Sequence, residues 1–440
     1  MTIREIIKRD IGVKVEGVVK VFDHAALARD LRVRFPLMKT ILSTAPSDGC
    51  ISMREASGAP IEIRSSAGGP FDVALFLLSG GTTGMPKLIP RTHADYLYNA
   101  LASARVSGLT SGSRILIALP VEHNFPLGCP GFLGALLSGA KTVFSQSTKA
   151  ADLADVIERE RITHLPCVPT IALALLDLPQ SSHRQLASLR VITVGGQRLQ
   201  EPTARALKRA FPHLVVQQVL GMAEGLLCYT HLDDRDDVAF ATQGRPLSPA
   251  DEIRIVDADG TEVAAGAVGE LWCRGPYTLR GYFRAPERNR DAFTADGFYR
   301  TGDVVRLDPS GNLVVEGRIK DLINRGGEKI SAEEIEAHLI AHPTVSAAAV
   351  VAMPDAVLGE KACAYLSLRD GKTFELSTMR EFLAARGVAQ FKWPERIEVV
   401  TELPLTNVGK IKKTELRRNI ADKLAAERAS VDPRTLQQGN

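Results

Sequence analysis

Apolar and polar positions fall into three textures along this chain. Phe71 to Leu78 is apolar except at Asp72, the pattern of a buried strand. From 70 to 245 such runs alternate with segments of helical period. Strands are predicted over Arg114–Leu119, Lys141–Phe144, Thr163–Val168, Val191–Val194 and Val215–Leu220, and helices at Phe132–Ser138, Ala151–Arg159 and Glu201–Ala210. Strand–helix alternation implies a mostly parallel, doubly wound sheet, with ligands gathering at the carboxyl ends of its strands. The loops at 79–87, 120–130 and 220–225 are expected there.

From about 250 the pattern turns to short β runs punctuated by turn signals: Ile253–Val256, Asp259-Gly260, Glu270–Arg274 and Asn312–Glu316. Beyond 320 come helix Ala332–Ile340, strands Ala347–Val351 and Lys361–Leu368, helix Ser377–Arg386 and strand Arg396–Val400. The fold class is therefore α/β. A large N-terminal region of doubly wound sheets (1–319) carries a β-rich subdomain at about 245–319. A small mobile α+β C-terminal domain (320–428) and a flexible tail (429–440) follow.

Composition narrows the setting. The 440 residues are 45% hydrophobic and 24% charged, as in ordinary globular proteins. Lys and Arg number 54 against 51 Asp and Glu, a net +3 that gives no argument for nucleic acid or a membrane surface. No apolar run approaches the roughly 18 residues that would span a bilayer, and the charged N-terminus lacks a signal-peptide apolar region. Six cysteines without Cys-x-x-Cys spacing argue against a disulfide framework or zinc site and point to a cytoplasmic protein.

The chemistry concentrates in a few segments. Ser79-Gly80-Gly81-Thr82-Thr83-Gly84-Met85-Pro86-Lys87 follows the first strand. Its glycines free backbone N–H groups to face an anion, its hydroxyls add donors, and Lys87 adds a point charge. Pro86 and Leu88 flank that lysine, so this is not a Walker loop. Gly221-Met222-Ala223-Glu224 ends a strand with a carboxylate suited to Mg2+, although alone Glu224 reads as a surface acid. Tyr299-Arg300-Thr301-Gly302-Asp303 places an exposed acid after a glycine turn, where it could accept from ribose hydroxyls. The charged, glycine-rich run 317–330 straddles the domain boundary as a hinge or a solvated linker. Lys410, on a turn after Pro404, is either solvated or a mobile cation that follows developing charge. Finally, Pro120 to Pro130 mixes His123, Asn124, Phe125 and Cys129, a set that suits a small aromatic ligand with few polar groups.

In this order, these segments resemble the adenylate-forming superfamily, most closely the stand-alone aryl-acid–AMP ligases of siderophore biosynthesis. The motifs that carry the likeness are Ser79 to His93, His123-Asn124-Phe125-Pro126, Gly221 to Gly225 and Gly317 to Ile330. The resemblance implies that an aryl acid, salicylate or 2,3-dihydroxybenzoate, is adenylated with Mg-ATP. The acyl group then passes to the phosphopantetheine thiol of an aryl carrier protein, or to CoA. It further implies that Ser79, Gly80, Gly81, Thr82, Thr83, Gly84 and Lys87 cradle phosphates and that Glu224 places Mg2+. Gly195 and Gly196 would lie by the adenine, with Gly221 and Met222 also in the ATP site, and Asp303 and Arg318 would bind ribose. Lys320 would be the hinge, and Lys410 would bridge carboxylate and α-phosphate. His123, Asn124, Phe125, Cys129 and Leu227 would line the acid pocket. A cysteine at 129, where 2,3-dihydroxybenzoate users tend to have serine, favours salicylate.

Only 78 residues precede the glycine loop, fewer than in the resembled family. The expectation is a chain short of the first subdomain with some core surface uncovered. The competing functions are an aryl-CoA ligase and an inactive truncated binding protein.

Overall fold

The computed structural model describes residues 29, 33, 42–43, 48, 51–52, 69–78, 87–369, 372–406 and 409–430. The expected phosphate-loop residues Ser79, Gly80, Gly81, Thr82, Thr83 and Gly84 lie outside them, as does most of the expected tail. The chain divides into two units, Met1–Gly69 and Pro70–Asn440. In the first, β1 (Leu42–Ser43) pairs in parallel with β2 (Ile51–Ser52), and the Arg29 guanidinium donates to the Asp48 carbonyl at 2.8 Å.

The second unit opens with β3 (Val73–Leu78) and β4 (Leu88–Thr92), paired antiparallel as a separate two-stranded sheet. This corrects the expectation of a buried strand at Phe71–Leu78. Of β3's side chains only Leu77 is buried, at 6% exposure, because the ribbon offers one face to the core while its alternate residues point outward. Helix α1 (His93–Val106) follows directly. Its start is written as Thr92-x-x-Asp95: the Thr92 hydroxyl accepts from Asp95 N–H, and the Asp95 carboxylate accepts from Thr92 N–H.

The expected doubly wound sheet is present. Strands β5 (Arg114–Ile117), β6 (Lys141–Phe144), β7 (His164–Cys167), β8 (Val191–Gly195) and β9 (Val215–Gly221) run parallel in the order β9-β8-β7-β5-β6. Two antiparallel strands, β10 (Leu227–Tyr229) and β11 (Arg245–Pro246), complete one edge. Every residue of β7 and β8 is buried, as parallel strands covered on both faces require. Leu153 and Ile157 of the helix Ala150–Glu160, and Ala204 and Leu207 of the helix Glu201–Ala210, pack into the same core as Leu165, Ile192 and Val216. The carboxyl ends of β5 and β9 thus deliver residues 120–130 and 222–225 to one region.

The β-rich part is a four-stranded antiparallel sheet of β12 (Glu252–Val256), β13 (Gly269–Arg274), β14 (Tyr299–Leu307) and β15 (Leu313–Arg318). Asp303 therefore lies inside a strand, not on an exposed turn, and is 3% exposed. It sits in register opposite Arg318, one pair before a shift at Val304/Val305 in which β15 carries the extra residue.

After a 3-10 turn at Ile319–Asp321 come β16 (Ile323–Arg325), β17 (Glu328–Ile330), β18 (Val345–Asp355), β19 (Gly359–Leu368) and β20 (Arg396–Val399) in one sheet. Their core clusters draw only on residues from 323 onward. The final helix, Lys413–Ser430, extends the order two residues into the expected tail. Its first residue forms a buried ion pair with Glu336 at 2.7 Å, and Glu336 also accepts from Val350 N–H. Burial pushes the Glu336 carboxyl up, and Lys413 opposes that. Removing one partner leaves a buried charge uncompensated, at a cost of about 3 kcal/mol. Lys413→Met should lose roughly that much in urea unfolding, and Lys413→Met with Glu336→Leu should regain most of it. A single variant as stable as the wild type would show that the pair is unimportant.

Candidate active site

The site is built where the parallel sheet, the β-rich sheet and the C-terminal region meet. Strand β8 ends at Gly195-Gly196. Gly196 has φ +84°, and a Cβ there would lie 3.0 Å from Lys410 Cε, so bare backbone is what lets the lysine in. Lys410 arrives on a tight turn: its N–H donates to Thr406 Oγ1 at 3.0 Å, and its carbonyl accepts from Thr406 N–H at 2.7 Å. Gly409, at φ +77°, passes so close that a Cβ would stand 2.9 Å from Val168. The Lys410 ammonium is held below its ordinary pKa by burial and then by the nearby Arg318 cation, with Asp303 pulling the other way.

Asp303 and Arg318 face each other in register across β14 and β15, with Arg318 Nε 2.5 Å from Asp303 Oδ1. That carboxylate raises the guanidinium further. Lys320, one turn on, is lowered by burial and then by Arg318. Asp321 beside it pairs with Arg417 of the last helix, tying this turn to the C-terminal region.

Glu224 stands in the loop after β9. Its Oε1 accepts from Tyr282 O–H at 2.9 Å, and its carbonyl accepts from Leu279 N–H at 2.7 Å. Lys87, immediately before β4, holds Nζ 4.2 Å above the Tyr282 ring. Burial lowers this ammonium, Glu224 raises it, and Arg288 and Lys320 lower it again. Among the described residues no three His, Cys, Asp or Glu gather as a metal cage. Glu224 still fits Mg2+, which is commonly held by one or two carboxylates and the substrate's own phosphates.

The expected proline-bracketed loop contains a short helix, Asn124–Gly128, capped by His123, whose Nδ1 accepts from Phe125 N–H. Burial and then the Lys410 charge push His123 down to about 4. Behind it, Tyr96 O–H donates to Asn124 Oδ1 at 2.9 Å, which turns the Asn124 amide nitrogen toward Cys129 Sγ at 3.7 Å. Asn99 Nδ2 reaches the same sulfur at 3.2 Å. The Cys129 thiol is raised by burial to about 11 and stays neutral. Phe125, Cys129 and Leu227 share one core cluster, with Leu227 across from Gly221 in the β9–β10 pair. Met222 packs instead with the β-rich core.

The structure thus brings together Lys87, His123, Asn124, Phe125, Cys129, Gly195, Gly196, Glu224, Asp303, Arg318, Lys320 and Lys410. Sequence reasoning misses Arg91, Tyr96, Asn99 and Tyr282. Arg91 is fully buried, donating to Asp95, the Ala223 carbonyl and the Tyr277 carbonyl while lying 4.9 Å over the Tyr96 ring. The Thr92 capping box beside it is a readable local signal. The long-range partners of Tyr282 leave none.

Residues 15–283 match the AMP-binding enzyme family and residues 334–410 match the AMP-binding enzyme C-terminal domain. The chain belongs to the AMP-binding enzyme family. It is 54% identical over 357 residues to pyochelin synthase PchD of Pseudomonas aeruginosa, a match covering 81% of this chain and 64% of that protein. It therefore spans less than two thirds of that relative's length. It is also 45% identical over 408 residues to the 2,3-dihydroxybenzoate-AMP ligase of Bacillus subtilis, covering 92% and 74%. Among solved structures, the anthranilate CoA ligase AuaEII in complex with anthranoyl-AMP has a TM-score of 0.81 at 27% identity, covering 92% of this chain and 77% of that one.

The reach of the Lys410 charge to His123 can be read directly by imidazole NMR. His123 should titrate near pH 4, and Lys410→Gln should raise that midpoint; an unmoved midpoint would contradict that influence. An unfolded histidine titrates at about 6.5. The unfolded chain therefore binds more protons between the two values, so His123, and His164 with a value near 4, should make stability fall as pH drops from about 6.5 toward 4.

Proposed function

We propose that this protein joins ATP to an aryl carboxylic acid and passes the acyl group to a thiol. The observation that carries the reading is the Lys410 ammonium held against Gly196, between the Asp303–Arg318 pair and the His123 helix. A desolvated cation among other cations suits a place where two anions must meet. The acid's carboxylate oxygen attacks the α-phosphorus. The bond from that phosphorus to the bridging oxygen breaks, and pyrophosphate leaves with the electron pair. Lys410 neutralises the carboxylate and the α-phosphate as they approach, Lys87 and residues 79–84 hold the departing phosphates, and Asp303 with Arg318 holds the ribose. Gly195, Gly196, Gly221 and Met222 complete the ATP site. Mg2+, held by Glu224 and phosphate oxygens, would supply charge neutralisation. No protein nucleophile is required, since alignment and electrostatics provide most of phosphoryl-transfer catalysis.

In the second half-reaction a thiol sulfur attacks the acyl carbon, AMP departs, and the thiol proton goes to solvent. We assign residues 320–428 as a domain that turns about Lys320 and withdraws Lys410 before this step. The separate cores on either side of that turn support this reading. The acceptor is the phosphopantetheine arm of an aryl carrier protein, in siderophore assembly. The acid is salicylate: the Asn124 amide nitrogen directs one hydrogen at Cys129 Sγ and keeps its second for an ortho hydroxyl, while the neutral Cys129 thiol packs against a bare ring edge and offers a poor partner to a 3-hydroxyl.

ATP–pyrophosphate exchange with salicylate and 2,3-dihydroxybenzoate side by side tests this. Salicylate-dependent exchange is expected; preference for the dihydroxy acid would overturn the choice of acid, and no exchange with any aryl acid would overturn the function. Lys410→Ala should lower exchange by about a hundredfold or more yet largely spare thioester formation from preformed aryl-AMP. Equal loss of both steps would contradict its role. Product formation with carrier protein but not with free CoA identifies the acceptor, and the reverse would replace it.

A further inference from the structure

One buried side chain joins the two charged groups assigned to the phosphate end of the site, and the proposed reaction gives it no role. Tyr282 is 3% exposed. Its hydroxyl donates to Glu224 Oε1 at 2.9 Å and lies 3.0 Å from the Tyr299 hydroxyl. With the carboxylate taking Tyr282's only proton, Tyr299 must donate, which orients a relay from Tyr299 through Tyr282 to Glu224. The face of the same ring lies 4.2 Å beneath Lys87 Nζ. Burial and Glu224 both raise the Tyr282 phenol, so it remains a donor at any working pH.

The backbone fixes this ring in place. Tyr282 N–H donates to Asn289 Oδ1 at 2.8 Å, and Asn289 Nδ2 donates back to the Tyr282 carbonyl at 3.0 Å. The next residue, Phe283, donates its N–H to the carbonyl of Leu88, the neighbour of Lys87, at 3.0 Å. One tyrosine is thus anchored to the strand that Lys87 immediately precedes while gripping the carboxylate on a different loop. A ring needed only for packing would require neither the hydroxyl on Glu224 nor its face under the ammonium.

We propose that Tyr282 is a positioning residue that sets the separation and orientation of Lys87 and Glu224, and so couples metal binding to nucleotide binding. The proposal rests on the functional reading above. Its two handles are separable. Hydroxyl loss frees Glu224 to rotate and leaves the ring under Lys87; ring loss removes both.

The test is equilibrium ATP binding by calorimetry, titrated with Mg2+ or held in EDTA, for the wild type, Tyr282→Phe and Tyr282→Leu, alongside thermal melting. Tyr282→Phe should bind ATP as the wild type does in EDTA but need about tenfold more Mg2+ for half-maximal enhancement, the effect of one lost hydrogen bond to a charged group. Tyr282→Leu should show the Mg2+ defect and also bind ATP severalfold more weakly in EDTA. The KM for the aryl acid should not move in either. Unchanged Mg2+ dependence in Tyr282→Phe would overturn the proposal. So would a parallel loss of ATP and acid affinity that tracks a drop in melting temperature. Binding is read without turnover, so a wild type that binds Mg-ATP but exchanges no pyrophosphate would defeat the functional reading and leave the Tyr282 result to be judged by itself.

Discussion

A buried ammonium in the company of other cations is the constraint on which this site depends. Lys410 is enclosed against Gly196 with Arg318 and Lys320 near it, and Asp303 and Glu224 offset them in part. Burial and repulsion both oppose its charge, so the arrangement favours an incoming anion that can bind several of these groups at once. A triphosphate and a carboxylate together meet that need. Electrostatic strain around Lys410 and attraction for anions are then two sides of the same geometry.

The fold makes this constraint possible by fixing the surroundings firmly. Gly195 and Gly196 stand at the end of the fully buried strand β8. Asp303 and Arg318 are held by register across two antiparallel strands. Arg91 joins the start of α1, the loop before Glu224 and the segment at Tyr277 through charge-assisted hydrogen bonds in a buried position. The C-terminal region keeps its own cores beyond the turn at Ile319–Asp321. The proposed movement about Lys320 would leave those aligned groups where they are.

Much of this is legible in the amino-acid sequence. The strands from Arg114 to Leu220 stand out because central parallel strands, covered on both faces, are rich in apolar residues, although Thr193, Gln217 and Gln218 are buried there too. The motifs around Glu224, Arg318 and Lys410 carry the family. The failures share a cause: local sequence does not report long-range pairing. Phe71–Leu78 reads as buried because its apolar run says nothing of how many neighbours the strand has. Asp303 reads as exposed because Gly302 suggests a turn, whereas the strand continues through it and pairs the acid with Arg318 on the neighbouring strand. Asn124–Gly128 reads as a loop because Pro126 lies within it, yet a proline in the first turn of a helix loses no hydrogen bond. Tyr282 is silent because Glu224 and Lys87, the groups it joins, are distant from it in the chain.

The central claim is that a carboxylate oxygen attacks the α-phosphorus of ATP while Lys410 neutralises both. Positional oxygen labelling examines that bond directly. Salicylate labelled with 18O in both carboxylate oxygens, incubated with the protein, Mg-ATP and hydroxylamine as acyl acceptor, should yield AMP carrying one 18O atom and unlabelled pyrophosphate, as read by mass spectrometry. Unlabelled AMP, or label in pyrophosphate, would contradict the account.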